Sequence, residues 1–162
     1  MHARCSRATL SARYLAQGRA PSRRLCRTLL RTDVAVVTFS PTGSLIAMGN
    51  LGASDEDSGV AEIAVIVEDA WQHGGLGTTM LRHLVAAARL TGMDEVVAIA
   101  PTRGSWTETA LVRLGEPLLQ RTPFGEAVVR LRLAPHHVGL LAPPAARARR
   151  VVISRAGMAS AQ

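Results

Sequence analysis

The chain has 162 residues, 48% of them hydrophobic, and a formal net charge of +7. This length fits one domain with a real core, and no apolar run approaches the roughly 20 residues of a membrane-spanning helix. The only cysteines, Cys5 and Cys26, fit neither a disulfide framework nor a Cys-x-x-Cys metal site, so we expect a cytoplasmic protein without a bound metal.

The charged residues are unevenly distributed. The chain has no lysine, and 12 of its 19 Arg lie before residue 33 or after residue 133. All 12 acidic residues lie between Asp33 and Glu126. Arg-rich ends can bind nucleic acid, and a basic start resembles a transit peptide. We favour solvated, partly disordered flanks over nucleic-acid binding, and because the N-terminal stretch fits a helix better, targeting is only a minor alternative.

In chain order, the pattern predicts two short helices and then an antiparallel meander. Residues 9–31 form the helices, broken at 18–21, and Ser22 is placed to cap the second. The strands that follow are 34–39, 44–50 and 60–67. A Pro-x-Gly sequence at 41–43 indicates a hairpin turn between the first two, and the polar residues 53–59 form the second connection.

The segment from Ala61 to Leu90 carries the strongest signal. Its continuous, largely β-branched run ending at Val67 is typical of a strand buried on both faces. Glycine-rich residues 72–77 follow, and then an apolar face that predicts a helix to about Leu90, stopped by Thr91-Gly92. A helix N-terminus has unpaired N–H groups, and glycines let a ligand approach them, so this pattern favours phosphate binding.

The rest of the pattern completes one domain. It predicts strands at 95–100, 118–119 and 126–133, and a helix at 105–114. Residues 134–162 are rich in Pro, Ala and Arg, so we expect a mostly disordered tail. The domain is therefore expected to span 1–133, with its best-supported core at 33–133.

The succession of strand, acidic corner, glycine turn and amphipathic helix resembles a known family. Gln72-x-x-Gly75-x-Gly77, directly after the strand ending in Val67, is similar to the acetyl-coenzyme A (acetyl-CoA) signature of the GNAT superfamily of N-acetyltransferases. The resemblance implies an α/β (α+β) fold, the GNAT acyltransferase fold, with a mixed central sheet and helices on both faces. It also implies transfer of the acetyl group of acetyl-CoA to an amine by direct attack.

The family's spacing implies that acetyl-CoA is bound mainly by backbone. The pyrophosphate would meet main-chain N–H groups of the glycine turn, and the pantetheine arm would lie beside the end of the strand. The residues so implied are Val65, Ile66, Val67, Gln72, His73, Gly74, Gly75, Leu76, Gly77 and Thr78. A main-chain N–H near Val67 would stabilise the oxyanion. The alternative is that the glycines serve tight packing between helix and sheet.

Glu62 is the candidate catalytic base, because an amine must lose a proton before it attacks. Its place at the head of the cofactor strand, ten residues before Gln72, resembles that of the catalytic glutamate in the lysine-acetylating branch of the family. The alternative is an edge glutamate that faces solvent. Glu68 and Asp69 are expected to shape the corner before the glycine turn.

Two features of the family are absent from the chain. Gly104 stands where the family often has an Asn that contacts the cofactor, and Leu111 where many members have a Tyr that protonates the leaving thiolate. Tyr14, the only tyrosine, cannot be assumed to replace it. We favour an N-acetyltransferase; the alternatives are a non-catalytic GNAT module that binds acyl-CoA and an interaction protein whose Arg-rich ends bind nucleic acid. The chain lacks Gly-x-Gly-x-x-Gly, which disfavours a dinucleotide-binding enzyme.

The family's opening strand has no counterpart either, since Met1 falls where the first helix should begin. We therefore expect the strand at 34–39 to form an exposed sheet edge, which favours either pairing with a second copy of the chain or marginal solubility. We also expect the natural chain to begin upstream of Met1. The expected partners are acetyl-CoA and an amine acceptor, with a homodimer formed through the edge and no membrane or nucleic acid.

Overall fold

The computed structural model combines α-helices with a seven-stranded sheet. It describes residues 1–15, 21–29, 32–54, 59–101, 104–115, 117–123, 126–134 and 150–155. The helices are α1 (Arg7–Tyr14), α2 (Arg23–Leu29), α3 (Leu76–Leu90) and α4 (Trp106–Val112). The strands are β1 (Val34–Phe39), β2 (Leu45–Ala53), β3 (Val60–Val67), β4 (Glu95–Ala100), β5 (Pro117–Arg121), β6 (Ala127–Arg132) and β7 (Arg150–Arg155).

Most predicted elements are confirmed, with ends that shift by a few residues. Ser22 Oγ accepts from the N–H of Leu25 at the start of α2, as expected of a cap. Residues 18–20 of the predicted helix break, residues 55–58 of the predicted polar connection, and residues 135–149 and 156–162 of the tail lie outside the described residues. No helix in the described segments is long and apolar enough to span a membrane.

The sheet is mixed, as predicted, and its strand order is β5-β6-β4-β3-β2-β1-β7. The pairs β3–β4 and β1–β7 are parallel and the other pairs are antiparallel. The predicted hairpin between β1 and β2 is closed by Gly43, whose N–H donates to Ser40 O over 2.9 Å. Gly43 has φ +83°, a conformation that glycine adopts without strain.

Helices cover both faces of the sheet, because alternate strand residues point to opposite sides. On one face, Leu84 of α3 and Leu111 of α4 are buried against Ile63 of β3. On the other face, Leu10 of α1 packs with Ile66 of the same strand. β3 is therefore buried between two layers, as its continuous apolar sequence predicts.

Residues 150–155 correct two expectations. They form β7, which pairs in parallel with β1 from Val34 opposite Arg150 to Phe39 opposite Arg155, so a disordered tail is wrong for these residues. The predicted exposed edge is also wrong, because β1 lies between β2 and β7. The physical reason is that the β-branched run 151–153 favours a strand, and the unpaired groups of β1 offer it a partner.

We predict that a chain ending at Arg149 is less stable than one ending at Arg155. The shorter chain loses the whole of β7 and its ladder with β1, which costs on the order of 2 kcal/mol of unfolding free energy. Denaturant unfolding measures this difference, and sedimentation tests whether the bared β1 edge makes the shorter chain associate. Equal unfolding midpoints for the two chains would show that β7 contributes nothing to the sheet.

Candidate active site

The site begins where β3 and β4 separate. The two strands pair over only three positions, Val60–Glu62 opposite Glu95–Val97. Beyond Glu62, β3 continues alongside β2 and β4 continues alongside β6. A gap therefore opens between Ile63–Val67 on one side and Ala98 and Ile99 on the other.

Main-chain groups of β3 point into this gap. The N–H of Glu68 donates to Ile46 O on the opposite, β2 side, over 2.8 Å. Alternate residues of a strand direct their N–H and C=O groups to opposite neighbours. Val65 and Val67 therefore direct theirs toward the gap, where no strand takes them up.

A cavity of about 530 Å³, the first cavity, occupies the gap. Its walls come from β3, β4, α1, the glycine turn and the start of α4. The predicted cofactor residues that line it are Val65, Ile66, Val67, Gln72, His73, Gly75, Gly77 and Thr78. The other two predicted residues do not line it: Leu76 packs against the core, and a side chain at Gly74 would meet nothing within 4 Å.

The N-terminus of α3 differs from those of the other helices. Ser6, Ser22 and Ser105 cap α1, α2 and α4 by accepting a backbone N–H. α3 begins after Gly75, which has no side chain to cap it, and its first turn has no acidic residue. The N–H groups of its first turn therefore have no side-chain cap, and they lie at the end of the first cavity.

The two glycines of the turn do different things. Gly75 has φ +80°, and a Cβ there would meet nothing within 4 Å, so it is required for backbone conformation beside open space. A Cβ at Gly77 would lie 2.9 Å from the ring of Trp106. Gly77 therefore serves the close packing of α4 on α3, while also lining the first cavity.

Polar residues of the acidic corner hold the N-terminal segment over the gap. Glu68 accepts from Arg4 Nε at 2.9 Å. Asp69 accepts from the N–H of Ser6 at 2.8 Å and from the hydroxyl of Thr9 at 3.0 Å. Gln72 Nε2 donates to Thr9 Oγ1 and to Val67 O, both at 3.0 Å. The corner thus fixes α1 as the roof of the first cavity.

Glu62 lies in another cavity, the second cavity, of about 740 Å³. This cavity is also lined by Asn50, Arg130 and Ala64. Ala64 and Arg13 line both cavities, so the two meet at these residues. Glu62 is exposed there, at the last paired position before β3 and β4 separate.

Several residues of the first cavity escape the sequence pattern. α1 contributes Thr9 and Arg13, and the end of the cavity near α4 contributes Trp106, Thr107 and Arg113. The signal for α1 is weak: two alanines, four residues apart, give it a small-residue face toward the sheet. Trp106, 48% exposed, is a large apolar side chain beside a predicted glycine turn.

The positions without the family's Asn and Tyr lie outside the first cavity. Leu111 is fully buried in the core and cannot supply a proton. The N–H of Gly104 donates to Glu108 Oε2 over 2.8 Å. Tyr14 does not line the cavity either; its hydroxyl lies 2.6 Å from His2 Nε2, and burial raises its pKa to about 12. The hydroxyl groups in the cavity belong to Thr9, Thr78, Ser105 and Thr107.

Across the described segments, no group of three or more His, Cys, Asp or Glu side chains lies close enough together to hold a metal ion.

The site and the fold together agree with a family match. Residues 7–107 match the model of the Acetyltransferase (GNAT) family. Since this match spans more than half of the chain, the chain belongs to that family, and the resemblance found in the sequence is confirmed. The match does not distinguish the lysine-acetylating branch, which stays a prediction. No curated protein sequence matches the chain significantly.

Solved structures share the fold. The GNAT domain of S. lividans PAT is similar with a TM-score of 0.65 and 21% identity, over 82% of this chain and 81% of that one. A cAMP-binding acyltransferase from Mycobacterium smegmatis is similar with a TM-score of 0.53 and 22% identity, over 81% of this chain and 42% of that one. At such identities the likeness shows the fold alone, which confirms the predicted GNAT fold class.

We predict that Asp69→Asn loosens the roof at neutral pH but not in acid. Hydrogen bonds from Ser6 lower the pKa of Asp69 below its ordinary value of 3.8. The stabilisation is therefore complete above that value and is lost as pH falls through the folded-state pKa. Thermal melts should show the variant a few degrees below wild type at neutral pH, with the difference closing in acid. Equal melting temperatures at neutral pH would show that these bonds do not hold α1.

Proposed function

We propose that the protein is an N-acetyltransferase that transfers the acetyl group of acetyl-CoA to an amine by direct attack. The observation that carries the proposal is the uncapped N-terminus of α3 at the end of the first cavity. A helix that leaves its first N–H groups free beside a gap in the sheet suits a ligand with a phosphate at one end and an extended arm.

The donor would be held along the gap. Its pyrophosphate would accept hydrogen bonds from the turn around Gly75 and the first turn of α3. Its pantetheine arm would take up the main-chain groups of Val65 and the N–H of Val67, as an added strand does, because Val67 O already accepts from Gln72. This placement brings the thioester near Ala64, where the two cavities meet. Arg113 lines the first cavity and adds a positive charge for the phosphates.

The acceptor would enter through the second cavity. Its amine would approach Ala64 past Glu62, whose carboxylate, directly or through a water, accepts the proton that the amine must lose. The nitrogen lone pair then attacks the thioester carbonyl, and the oxyanion receives a main-chain N–H near Val67. Collapse of the intermediate releases the thiolate, a tolerable leaving group because a thiol has a pKa of about 8.5.

The alternative, a module that binds acyl-CoA without turnover, is favoured by the buried Leu111 in place of the family's tyrosine. Release of free thiol from acetyl-CoA in the presence of a mixed panel of amines separates the two. Thiol release that requires an amine supports the enzyme, and tight binding of acetyl-CoA with no release supports the module.

We predict that Gly75→Glu weakens binding of acetyl-CoA about tenfold or more, because it adds a negative charge beside the pyrophosphate. Calorimetry measures the affinity. Gly43→Glu is the matched control: Gly43 has φ +83° against +80° for Gly75, and a Cβ at either meets nothing within 4 Å, but Gly43 lies in the hairpin turn. Unchanged affinity in Gly75→Glu would refute the pyrophosphate site.

We predict that Glu62→Gln lowers kcat about 100-fold near neutral pH, and less as pH approaches the pKa of the acceptor amine, which then deprotonates unaided. Turnover measured across pH tests this with one amine. Acetyl-CoA affinity is the internal control, because Glu62 does not line the first cavity. A loss of equal size at every pH would assign Glu62 a structural role instead.

A further inference from the structure

Arg13 occupies an unusual position at the junction of the two cavities. It is the penultimate residue of α1, and its side chain extends inward rather than into solvent. Its Nη2 donates to Asn50 Oδ1 over 3.2 Å, and its guanidinium lies 5.0 Å from the centre of the Tyr14 ring. Its Nε is buried and has no hydrogen-bond partner among the described residues.

The protein holds this cation in place without neutralising it. Asn50 is only 4% exposed, and its Nδ2 donates to Leu29 O at 2.8 Å and to Thr32 Oγ1 at 3.2 Å. These two bonds turn Oδ1 of Asn50 toward Arg13. The hydrogen-bond partner of Arg13 is therefore a neutral amide. Burial lowers the pKa of Arg13, and the charge of Glu62, which acts on it without an ion-pair contact, opposes this shift only in part. A buried guanidinium without a paired carboxylate is costly unless a bound group supplies the negative charge.

The other cation of the second cavity is already paired. Arg130 Nη1 lies 2.6 Å from Glu95 Oε1. Within the described segments, the ion pairs closer than 4.0 Å are this one and Arg4–Glu68, so Arg13 and Glu62 are not in direct contact. The second cavity thus presents a carboxylate and a separate guanidinium, each available to a molecule between them.

We propose that the acceptor is a small amine that also carries an anionic group, a carboxylate or a phosphate, and that Arg13 binds this group. The inference rests on the proposed acetyl transfer and names the substrate class of the same site. The ammonium of the incoming amine would lie toward Glu62, and its anionic group would accept hydrogen bonds from the planar guanidinium of Arg13. Asn50 is the positioning residue for Arg13.

A series of ω-amino acids of increasing chain length tests the proposal. Glycine, β-alanine, 4-aminobutanoate and 5-aminopentanoate place the carboxylate progressively farther from the amine, and the corresponding amino amides are the neutral counterparts. O-phosphoethanolamine and ethanolamine form the phosphate arm. We expect at least one compound of the carboxylate or the phosphate series to exceed its neutral counterpart in kcat/KM by about tenfold or more. A site built to bind a polar group rejects the analogue that lacks it.

Variants assign the preference to Arg13. In Arg13→Gln the ratio of kcat/KM between the best anionic amine and its neutral counterpart should fall to about one. Arg13→Lys should keep part of this ratio, because lysine keeps the positive charge but cannot donate two parallel hydrogen bonds as guanidinium does. Arg7→Gln is the matched control: it removes the same charge from the same helix, at an exposed position outside both cavities. Arg7→Gln should keep the wild-type ratio.

Binding measurements separate this inference from the proposed function. Calorimetry with coenzyme A bound in place of acetyl-CoA measures acceptor affinity without turnover. Failure of coenzyme A to bind would overturn both proposals. Coenzyme A binding with equal affinity for every acid and its amide, or acetylation only of lysine in a protein, would overturn the anionic acceptor alone. A loss of coenzyme A affinity in Arg13→Gln without any loss of the acid preference would assign Arg13 to the donor.

Discussion

The site depends on one interruption of backbone pairing, the separation of β3 from β4 after Glu62. A sheet normally satisfies the main-chain groups of a central strand on both sides. Here β3 keeps only β2 as a neighbouring strand from Ile63 to Val67, and the gap beside these residues becomes a cavity between two apolar layers. The binding that we propose therefore uses backbone that the sheet leaves unpaired, and it requires few particular side chains.

α1, the roof over that gap, is held by polar contacts, whereas α3, on the other face of the sheet, is held by apolar packing. α3 lies on the sheet through Met80, Leu84 and Ala88, all buried. α1 has a single buried residue, Leu10, and is tied down mainly by hydrogen bonds to Asp69 and Gln72. The wall that carries Arg13 thus has little buried apolar surface, and its contacts include the carboxylate of Asp69, whose hydrogen bonds depend on pH.

The sequence predicts the elements that are close together in the chain and misses contacts between residues that are far apart in it. β3, the glycine turn and α3 are contiguous, so local periodicity and one signature are enough to predict them. Arg13 and Asn50 are 37 residues apart, and their contact depends on which faces α1 and β2 turn to each other. β7 pairs with β1 across more than a hundred residues of chain, and no local pattern reports such a partner.

The position of β7 bears on how the sheet is completed during synthesis. A ribosome releases β1 to β6 before residues 150–155 exist, so the nascent domain can assemble its core and its cavities while the β1 side is still open. That open side gains its parallel partner only once residues 150–155 have been synthesised. Until then, β1 is an unpaired sheet edge that can associate with the edge of another nascent chain.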